Sequence, residues 1–167
     1  MKIFLASDHA GFDLKEKIKI YLKDKGYEIE DCGAYELNID DDYPDFIGKA
    51  SKGVSEDPQS RGIIFGGSGQ AEAMVANKFP NVRCALFYAS AVPVAPADVT
   101  GRISTDPLEM IRLTREHNDA NMLSLGARFL KEDEALKVVD MWLETSFSNN
   151  ERHVRRLNKI KQIENGK

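Results

Sequence analysis

Reactive side chains and glycines gather at three points of the sequence, each directly after a short apolar run. The first is residues 7–11 (Ser-Asp-His-Ala-Gly), the second is residues 66–72 (Gly-Gly-Ser-Gly-Gln-Ala-Glu), and the third is residues 126–128 (Gly-Ala-Arg). Open parallel sheets bind ligands outside the carboxyl ends of their strands. If the apolar runs are such strands, the three points form one site, and we expect the chemistry to take place there.

The glycine-rich stretch at 66–69 predicts an anion site. A glycine turn that opens a helix lets the backbone come close to a phosphate or an oxyanion, and the first N–H groups of the helix point at it. A plain tight turn between a strand and a helix is the alternative. Two nucleotide sites are excluded, because the stretch lacks the lysine of a P-loop and has Glu72 where a dinucleotide fingerprint needs its third glycine.

Three side chains next to these turns have the types needed for proton transfer. Glu72 falls in the first turn of the helix after the glycines, where the helix dipole favours a carboxylate, and it is the candidate base. A helix-opening glutamate without chemistry is the alternative. Asp8 and His9 place a carboxylate beside an imidazole, which suits the handling of hydroxyl protons or of a phosphate. Asp8 could equally cap the helix that begins near Phe12.

Two further candidates lie in the second half of the chain. His117 ends a predicted helix, in a position where the helix dipole favours the charged imidazole. Arg152 and Arg156 are one helical turn apart, so both guanidinium groups can bind one phosphate dianion. A solvated basic helix face is the alternative for the two arginines.

The elements that must position these residues alternate along the chain as strand and helix. Apolar runs predict five strands, each apolar enough for a parallel strand covered on both faces: residues 2–6, 27–31, 62–65, 82–87 and 122–125. Helical patterns predict helices at residues 12–24, 44–55, 70–78, 107–117 and 131–145. Pro44 and Pro107 are placed to open two of these helices.

The predicted fold is therefore α/β, a Rossmann-like three-layer α/β/α sandwich around a five-stranded parallel sheet. We expect a single domain over residues 1–167. Residues 89–106 form a long loop with two prolines, and loops of that length are usually functional. An amphipathic C-terminal helix is expected within residues 150–164, with an apolar stripe that could pack on a partner: Val154, Leu157, Ile160 and Ile163.

Composition and charge exclude several classes of function. Lys and Arg number 23 against 27 Asp and Glu, and the net charge of −4 gives no global attraction to nucleic acid or to anionic lipid. No apolar run reaches the ~18 residues of a membrane span, and the N-terminus turns polar too early for a signal peptide. We therefore expect a cytoplasmic protein without membrane or nucleic-acid partners. Cys32 and Cys84 are expected to be thiols, and they offer no metal cluster.

Five stretches of the sequence together match a known family. They are residues 7–12 (Ser-Asp-His-Ala-Gly-Phe), 42–45 (Asp-Tyr-Pro-Asp), 67–69 (Gly-Ser-Gly) with 76–78 (Ala-Asn-Lys), 115–121 (Arg-Glu-His-Asn-Asp-Ala-Asn), and 152–156 (Arg-His-Val-Arg-Arg). In this order the chain resembles the type B ribose-5-phosphate isomerases, from residue 2 to about residue 160. That family includes the galactose-6-phosphate isomerase subunits and the allose-6-phosphate isomerases.

The resemblance implies an aldose–ketose isomerase of the pentose phosphate pathway. It implies that the enzyme interconverts ribose 5-phosphate and ribulose 5-phosphate through a cis-enediolate, without a metal or another cofactor. It further implies that Asp8 and His9 contact the substrate, that His117 helps to open the furanose ring, and that Asn118 binds a sugar oxygen. The family's remaining substrate and phosphate contacts match Arg128, Arg152 and Arg156.

The backbone after the third strand has its own role in the family. The resemblance implies that this backbone stabilises the enediolate oxygen, which agrees with the anion site expected at the glycine turn. The binding residues of this stretch are Gly67, Ser68, Gly69, Gln70 and Ala71. The catalytic candidates are Asp8, Ser68, Glu72 and His117.

Two departures from the family pattern bear on the base and on the substrate. Many members have a cysteine base immediately before the Gly-Ser-Gly turn, where this chain has Gly66, so the base must lie elsewhere. A subgroup of the family uses a glutamate just after the turn, which matches Glu72. The stretch from Arg83 to His117 is longer than the family pattern by about fifteen to twenty residues, and the addition falls in a loop that could change substrate choice.

Assembly and substrate leave alternatives open. His117 precedes the fifth strand, so we expect it to come to the site from a neighbouring chain, in a homodimer or a dimer of dimers with shared active sites. A six-carbon sugar phosphate, allose 6-phosphate or galactose 6-phosphate, is the alternative substrate. A non-catalytic sugar-phosphate sensor is a second alternative, but a sensor needs no base such as Glu72. A flavodoxin-like or receiver-like domain would share the layers and give no role to Glu72 or the arginines.

Overall fold

The computed structural model of the chain describes residues 1–97 and 99–166, and these form two compact units. Unit 1 comprises Met1–Tyr88 and Ala120–Ala135, and unit 2 comprises Ala89–Asp119 and Leu136–Lys167. Asp98, in the predicted loop 89–106, and the terminal Lys167 lie outside the described residues. The single domain over residues 1–167 stays a prediction.

Unit 1 is built on a parallel five-stranded sheet, as the apolar runs predict. Its strands are β1 (Lys2–Ser7), β2 (Glu28–Asp31), β3 (Arg61–Gly66), β4 (Cys84–Phe87) and β5 (Met122–Gly126). They are ordered β2-β1-β3-β5-β4, and every neighbouring pair is parallel. Three helices belong wholly to this unit, α1 (Phe12–Asp24), α2 (Tyr43–Glu56) and α3 (Gln70–Ala76).

The strand order places helices on both faces of this sheet. The chain runs from β1 through α1 to β2 in one direction across the sheet, and from β2 through α2 to β3 in the opposite direction. Because such crossovers are right-handed, α1 and α2 cover opposite faces. One face packs in a core with α2 and α3 that contains Phe4, Ala6, Ile47, Val54 and Ala76. The result is the predicted α/β/α sandwich.

The two edge strands differ from the sequence prediction. β2 carries the sequence Glu-Ile-Glu-Asp and alternates between exposed and half-buried residues, and β4 is half-buried except at Phe87. The prediction that all five strands are nearly all apolar is therefore wrong for β2. Only the central strands β1, β3 and β5 are covered on both faces, and these are the strands with continuous buried runs.

Two predicted helices differ by two residues at one end, where side chains bind the backbone. The third helix ends at Ala76 instead of residue 78, since the Asn77 amide donates to Ala73 O at 3.0 Å and to Cys84 O at 3.1 Å. The fourth helix begins at Glu109 instead of residue 107, since the Leu108 N–H donates to Asp106 Oδ1 at 2.9 Å and forms an Asx turn. Pro107 therefore precedes the helix.

Unit 2 contains α4 (Glu109–Glu116), most of α5 (Glu132–Glu144) and α6 (Glu151–Glu164). α6 is the predicted C-terminal helix, and the Asn150 side chain caps it by accepting the Arg152 N–H at 3.1 Å. Its apolar residues Val154, Ile160 and Ile163 are exposed in the single chain. Among the described residues, none of the helices combines the length and the apolar character needed to cross a membrane.

Candidate active site

The first part of the candidate site lies where β1 and β3 end side by side. These two strands pair in register from Ile3 opposite Arg61 to Ser7 opposite Phe65. The chain leaves β1 toward one edge of the sheet and leaves β3 toward the other, so a crevice opens between the two departing loops. Residues 7–11 and 66–72 form those loops, which is why two of the three sequence clusters meet there.

Glu72 is buried in this crevice and lies against Gly66. Only 4% of its surface is exposed, and its Oε2 has no hydrogen-bond partner in the described structure. A Cβ atom on Gly66 would overlap the carboxyl group of Glu72. The carboxylate thus fills the space that a side chain at 66 would need, so this chain has room for a glutamate base or for a cysteine at 66, but not for both.

Burial also sets the protonation behaviour of Glu72. Desolvation raises the pKa of its carboxyl above the ordinary 4.5, and the negative charge of Asp8 raises it further. A carboxyl with a raised pKa accepts a proton more readily than an exposed one, which is what a general base near neutral pH requires. The alternative of a helix-opening glutamate in solvent does not fit a side chain that is so buried.

The glycine turn before α3 is tightly packed, and a guanidinium group lies over it. Gly69 has φ +75°, and a Cβ there would come within 2.8 Å of the Leu86 side chain. A Cβ on Gly67 would lie 3.3 Å from the Arg128 guanidinium. The Arg128 N–H donates to Gly67 O at 3.1 Å, which fixes the third cluster to the second. The turn therefore offers a close backbone approach beside a positive charge.

Ser68 and its neighbours complete this turn. Ser68 Oγ lies 3.4 Å from the backbone N of Gln70, and the Ser124 hydroxyl donates to Gly69 O at 2.6 Å. Ala71 is half-buried in the first turn of α3. All the candidates at the glycine turn are therefore in unit 1 with Asp8, His9, Glu72 and Arg128.

Asp8 stabilises the turn that leads into α1, but it does not cap that helix, because the N-cap residue is Gly11 and no side chain caps the helix there. Asp8 Oδ1 accepts the N–H groups of Ala10 at 3.0 Å and Gly11 at 3.1 Å. This does not exclude substrate contact, because Asp8 is also close enough to Glu72 to raise the pKa of that carboxyl. Asp8 thus holds the loop and contributes negative charge to the crevice.

Asp41 contacts a candidate site residue, and the sequence prediction did not include it. His9 Nδ1 lies 2.6 Å from Asp41 Oδ1, and this hydrogen bond raises the pKa of the His9 imidazole. The side chain of Asp41 is 5% exposed. The only signal in the sequence was its place in the acidic run before Pro44, next to the stretch 42–45 that matches the family.

Asp8, His9 and Asp41 are also the described residues that could hold a metal ion, since their donor atoms lie within 4.8 Å of one another. These same atoms already bond within the protein, His9 to Asp41 and Asp8 to backbone N–H groups. Protein hydrogen bonds therefore account for the cluster, and the metal-free reaction stays a prediction.

The second part of the candidate site lies in unit 2, at the end of α4. His117 is the C-terminal cap residue of this helix, and its N–H donates to Leu113 O at 3.0 Å. Asn118 follows it on the surface, and Asp119 reverses the chain with φ +43°. The buried Arg115 fixes this corner, because its guanidinium binds Asp119 Oδ1 at 2.8 Å and Thr145 O at 3.2 Å.

His153, which the sequence analysis quoted without a role, lies against His117. The centroids of the two imidazole rings are 4.2 Å apart. His153 is buried, and its Nδ1 lies 2.9 Å from Ser148 Oγ. Burial lowers the pKa of His153, and the neighbouring His117 and two arginines of α6 lower it further. The sequence could not single out His153, because it lies among the alternating apolar and basic residues of α6.

A cavity of about 520 Å³ opens beside the two histidines. Arg152 and Arg156 both line it, as their one-turn spacing predicts, and so do His117 and His153. Two guanidinium groups in one cavity can bind an anion, and the one carboxylate in the lining, that of Glu116, pairs with Arg102. The alternative of a plain solvated face does not explain why both arginines point into the same cavity.

Comparisons with known proteins identify the family of the chain that carries these two parts. The sequence model of a family described as Ribose/Galactose Isomerase matches residues 3–93 and 104–160. A curated relative, ribose-5-phosphate isomerase B of Mycolicibacterium paratuberculosis, is 38% identical over 164 residues, which are 98% of this chain and 92% of the relative.

Two solved structures are similar along nearly the whole chain. Ribose-5-phosphate isomerase B of Clostridium thermocellum has a TM-score of 0.84 and 39% identity and covers 99% of both chains. The enzyme of Mycoplasma genitalium with bound ribulose-5-phosphate has a TM-score of 0.85 and 33% identity and covers 99% of this chain and 97% of that one. With the family match on both units, the chain belongs to the ribose/galactose isomerase family.

Proposed function

We propose that this protein is an aldose–ketose isomerase that interconverts ribose 5-phosphate and ribulose 5-phosphate. The observation that carries the proposal is the buried Glu72 carboxylate, which lies beside the glycine turn in the space left by Gly66. The names of the relatives and the ribulose-5-phosphate bound in one of them support the same substrate. The pathway that this activity serves is the pentose phosphate pathway.

Glu72 carries the proton in the proposed reaction. Its carboxylate removes the proton from C2 of the open-chain aldose and returns it to C1, so a cis-enediolate forms between the two steps. The backbone of residues 67–71 stabilises the enediolate oxygen, with Ser68 and the Arg128 guanidinium beside it. The burial of Glu72 supports this role, because it raises the pKa of the base toward neutral pH.

The remaining residues bind the sugar and its phosphate. His117 assists the opening of the furanose ring, and Asn118 binds a sugar oxygen. Arg152 and Arg156 bind the phosphate, which the shared cavity in unit 2 supports. Asp8 and His9 contact the sugar at the end of β1, and the hydrogen bond from His9 to Asp41 keeps the imidazole oriented.

The two parts of the site come from two copies of the chain in this proposal. Glu72 belongs to unit 1 and His117 to unit 2. His117 follows α4 and precedes β5, so it does not belong to the loops that leave the carboxyl ends of the strands. The exposed apolar residues of α6 support a homodimer, since such a stripe on a helix usually packs on a partner. Pairing of dimers into a dimer of dimers is a further step of the same proposal.

A cytoplasmic location goes with this function. Phosphorylated sugars carry charge and do not cross membranes unaided, so an enzyme that uses them works where they are made. Cys32 and Cys84 are both free thiols, which supports a reducing compartment. No metal or other cofactor takes part in the proposed reaction, and activity that persists in excess EDTA would support this.

Complementation between inactive variants tests the shared site. A heterodimer of one Glu72→Gln copy and one His117→Ala copy keeps one intact site if the residues come from different copies, so we expect about half of the wild-type kcat. A heterodimer of one wild-type copy and one double-variant copy is the matched control, in which both sites then lack one residue. The reverse result, an active control and an inactive test pair, would show that each copy forms its own site.

A coupled assay tests the reaction and the substrate. Ribose 5-phosphate, allose 6-phosphate and galactose 6-phosphate are compared by kcat/KM in the same buffer. We expect the five-carbon sugar phosphate to be the best substrate. A preference for either six-carbon compound would favour the alternative isomerase, and phosphate binding without turnover of all three would favour a sensor.

A further inference from the structure

Residues 94–103 are the internal part of the chain that the family model leaves unmatched, since its match stops at residue 93 and resumes at residue 104. They belong to a loop with a closed base, because the Ala91 N–H donates to Pro107 O at 3.0 Å. Within the loop, the Ala97 N–H donates to Arg102 O at 2.7 Å, and Gly101 has φ +81°. The two ends of the loop that contains the added residues therefore lie close together.

This added segment forms one wall of the cavity that holds the arginines. Its lining residues are Pro96, Ala97, Val99 and Thr100. None of these four carries a charge. The rest of the lining includes the arginines of α6, the histidines His117 and His153, and one acidic residue, Glu116, which pairs with Arg102. The described part of the segment therefore adds no charged side chain to the lining that contains the two arginines.

Arg102 fixes the segment to α4. Its guanidinium binds Glu109 Oε1 at 2.7 Å and Glu116 Oε2 at 3.2 Å. Glu109 is 2% exposed and also accepts the Ser104 hydroxyl at 2.9 Å. Glu116 directly precedes His117, so the wall is tied to the residue beside the proposed ring-opening histidine.

We infer that segment 94–103 determines substrate specificity by walling the phosphate end of the site. This rests on the proposed function, in which the reacting carbons lie at Glu72 and the phosphate at Arg152 and Arg156. A sugar with one more carbon must push its phosphate outward, and the wall opposes that shift. The wall covers one side of the cavity and shields the arginines from water in part, which strengthens their attraction for a phosphate, while Arg156 stays exposed to solvent. The segment therefore favours five-carbon over six-carbon sugar phosphates.

Removal of the wall is the first test. In the full-length enzyme, residues 94–103 are replaced by Gly-Ser, and the closed base at Ala91 and Pro107 is left intact. We expect the Kd for inorganic phosphate to rise about tenfold, and the ratio of the Ki of allose 6-phosphate to the KM of ribose 5-phosphate to fall about tenfold. A folded variant in which both quantities are unchanged would overturn the inference.

A point substitution gives an independent test if the shortened loop fails to fold. Val99 lines the cavity and is 73% exposed, so Val99→Trp adds bulk to the wall without filling a core. We expect the Ki-to-KM ratio to rise severalfold. Val94→Trp is the matched control, because Val94 is fully exposed in the same loop and lies outside the described lining of the cavity. Equal ratios in the two tryptophan variants would contradict the inference.

Phosphate binding separates this inference from the proposed function. The Kd for inorganic phosphate is measured by calorimetry and needs no turnover. If the wild-type enzyme isomerises none of the sugar phosphates, the proposed function fails, and the effect of the wall on phosphate binding is still measured. If the wild-type enzyme is active and the shortened loop binds phosphate equally well, the inference fails alone.

Discussion

The two parts of the proposed site differ in how far their functional groups are exposed to solvent. In unit 1 the proposed reacting group is a carboxylate that is 4% exposed, at the ends of two buried parallel strands. In unit 2 the proposed binding groups are arginines at the surface of α6 and a half-buried histidine that caps α4. One part places a single group in a dry crevice, and the other gathers several charges around an open cavity.

The difference follows from what each part has to do. A general base gains from desolvation, because burial raises its pKa and a rigid sheet fixes its distance to the reacting carbon. A phosphate site has to attract a dianion from water and release it again, so its cations keep contact with solvent. Substitutions in unit 1 should therefore change kcat, and substitutions in unit 2 should change KM.

Glu72→Gln should have the largest effect on activity. The amide fills the same space beside Gly66 but cannot take a proton, so we expect kcat to fall about 10² to 10⁴-fold. The affinity for inorganic phosphate should stay within about twofold, because the phosphate contacts are in unit 2. Steady-state kinetics and a phosphate titration measure the two quantities.

The control for this substitution is Glu132→Gln. Glu132 also lies in the first turn of its helix, but its side chain is 51% exposed and pairs with Lys17 on the surface. We expect wild-type kcat from it. If Glu72→Gln kept the wild-type kcat, Glu72 would not be the base, and the contrast between the two parts would not hold.

Arg156→Ala should have the next largest effect, and on KM. Loss of one charge-assisted contact with phosphate costs about 1.5–3 kcal/mol, which is about a ten- to hundredfold rise in KM. We expect kcat to change little, since the arginine binds the phosphate in both the ground state and the transition state. Arg155→Ala is the matched control, because Arg155 is the exposed neighbour on α6 and lies outside the described lining of the cavity.

The strand ends and helix starts were predictable from the sequence because they depend on short-range signals. Apolar runs followed by glycine placed both loops of the crevice, and α1 has the predicted bounds at Phe12 and Asp24. The one-turn spacing of Arg152 and Arg156 predicted that they act together, and both line one cavity. The family resemblance is confirmed by the family match and by the relatives.

Long-range contacts were not predictable in the same way. Asp41 meets His9 across 32 positions, and His153 meets His117 across the length of α5, so no local pattern could pair them. The sequence related Gly66 and Glu72 only through the family pattern, in which the glycine excludes a cysteine base and the glutamate matches a subgroup. The fold shows that they are one feature, since the glutamate occupies the volume that the glycine leaves.

The smallest effect we predict concerns stability and tests whether the base is desolvated. Burial raises the pKa of Glu72 in the folded protein, so folding is favoured most when this group is protonated. That contribution is complete below the unfolded pKa of about 4.3 and is lost as the pH rises through the folded value. At pH 7 the buried charge therefore destabilises the wild-type fold, and Glu72→Gln should have the higher Tm. The Tm difference should shrink at lower pH, which thermal unfolding at pH 7 and pH 5 measures. Glu132→Gln is measured beside it as the control at an exposed glutamate. A Glu72→Gln protein that is less stable than wild type at pH 7 would mean that the carboxylate is well solvated in solution, and the contrast between a dry base and a wet phosphate site would not hold.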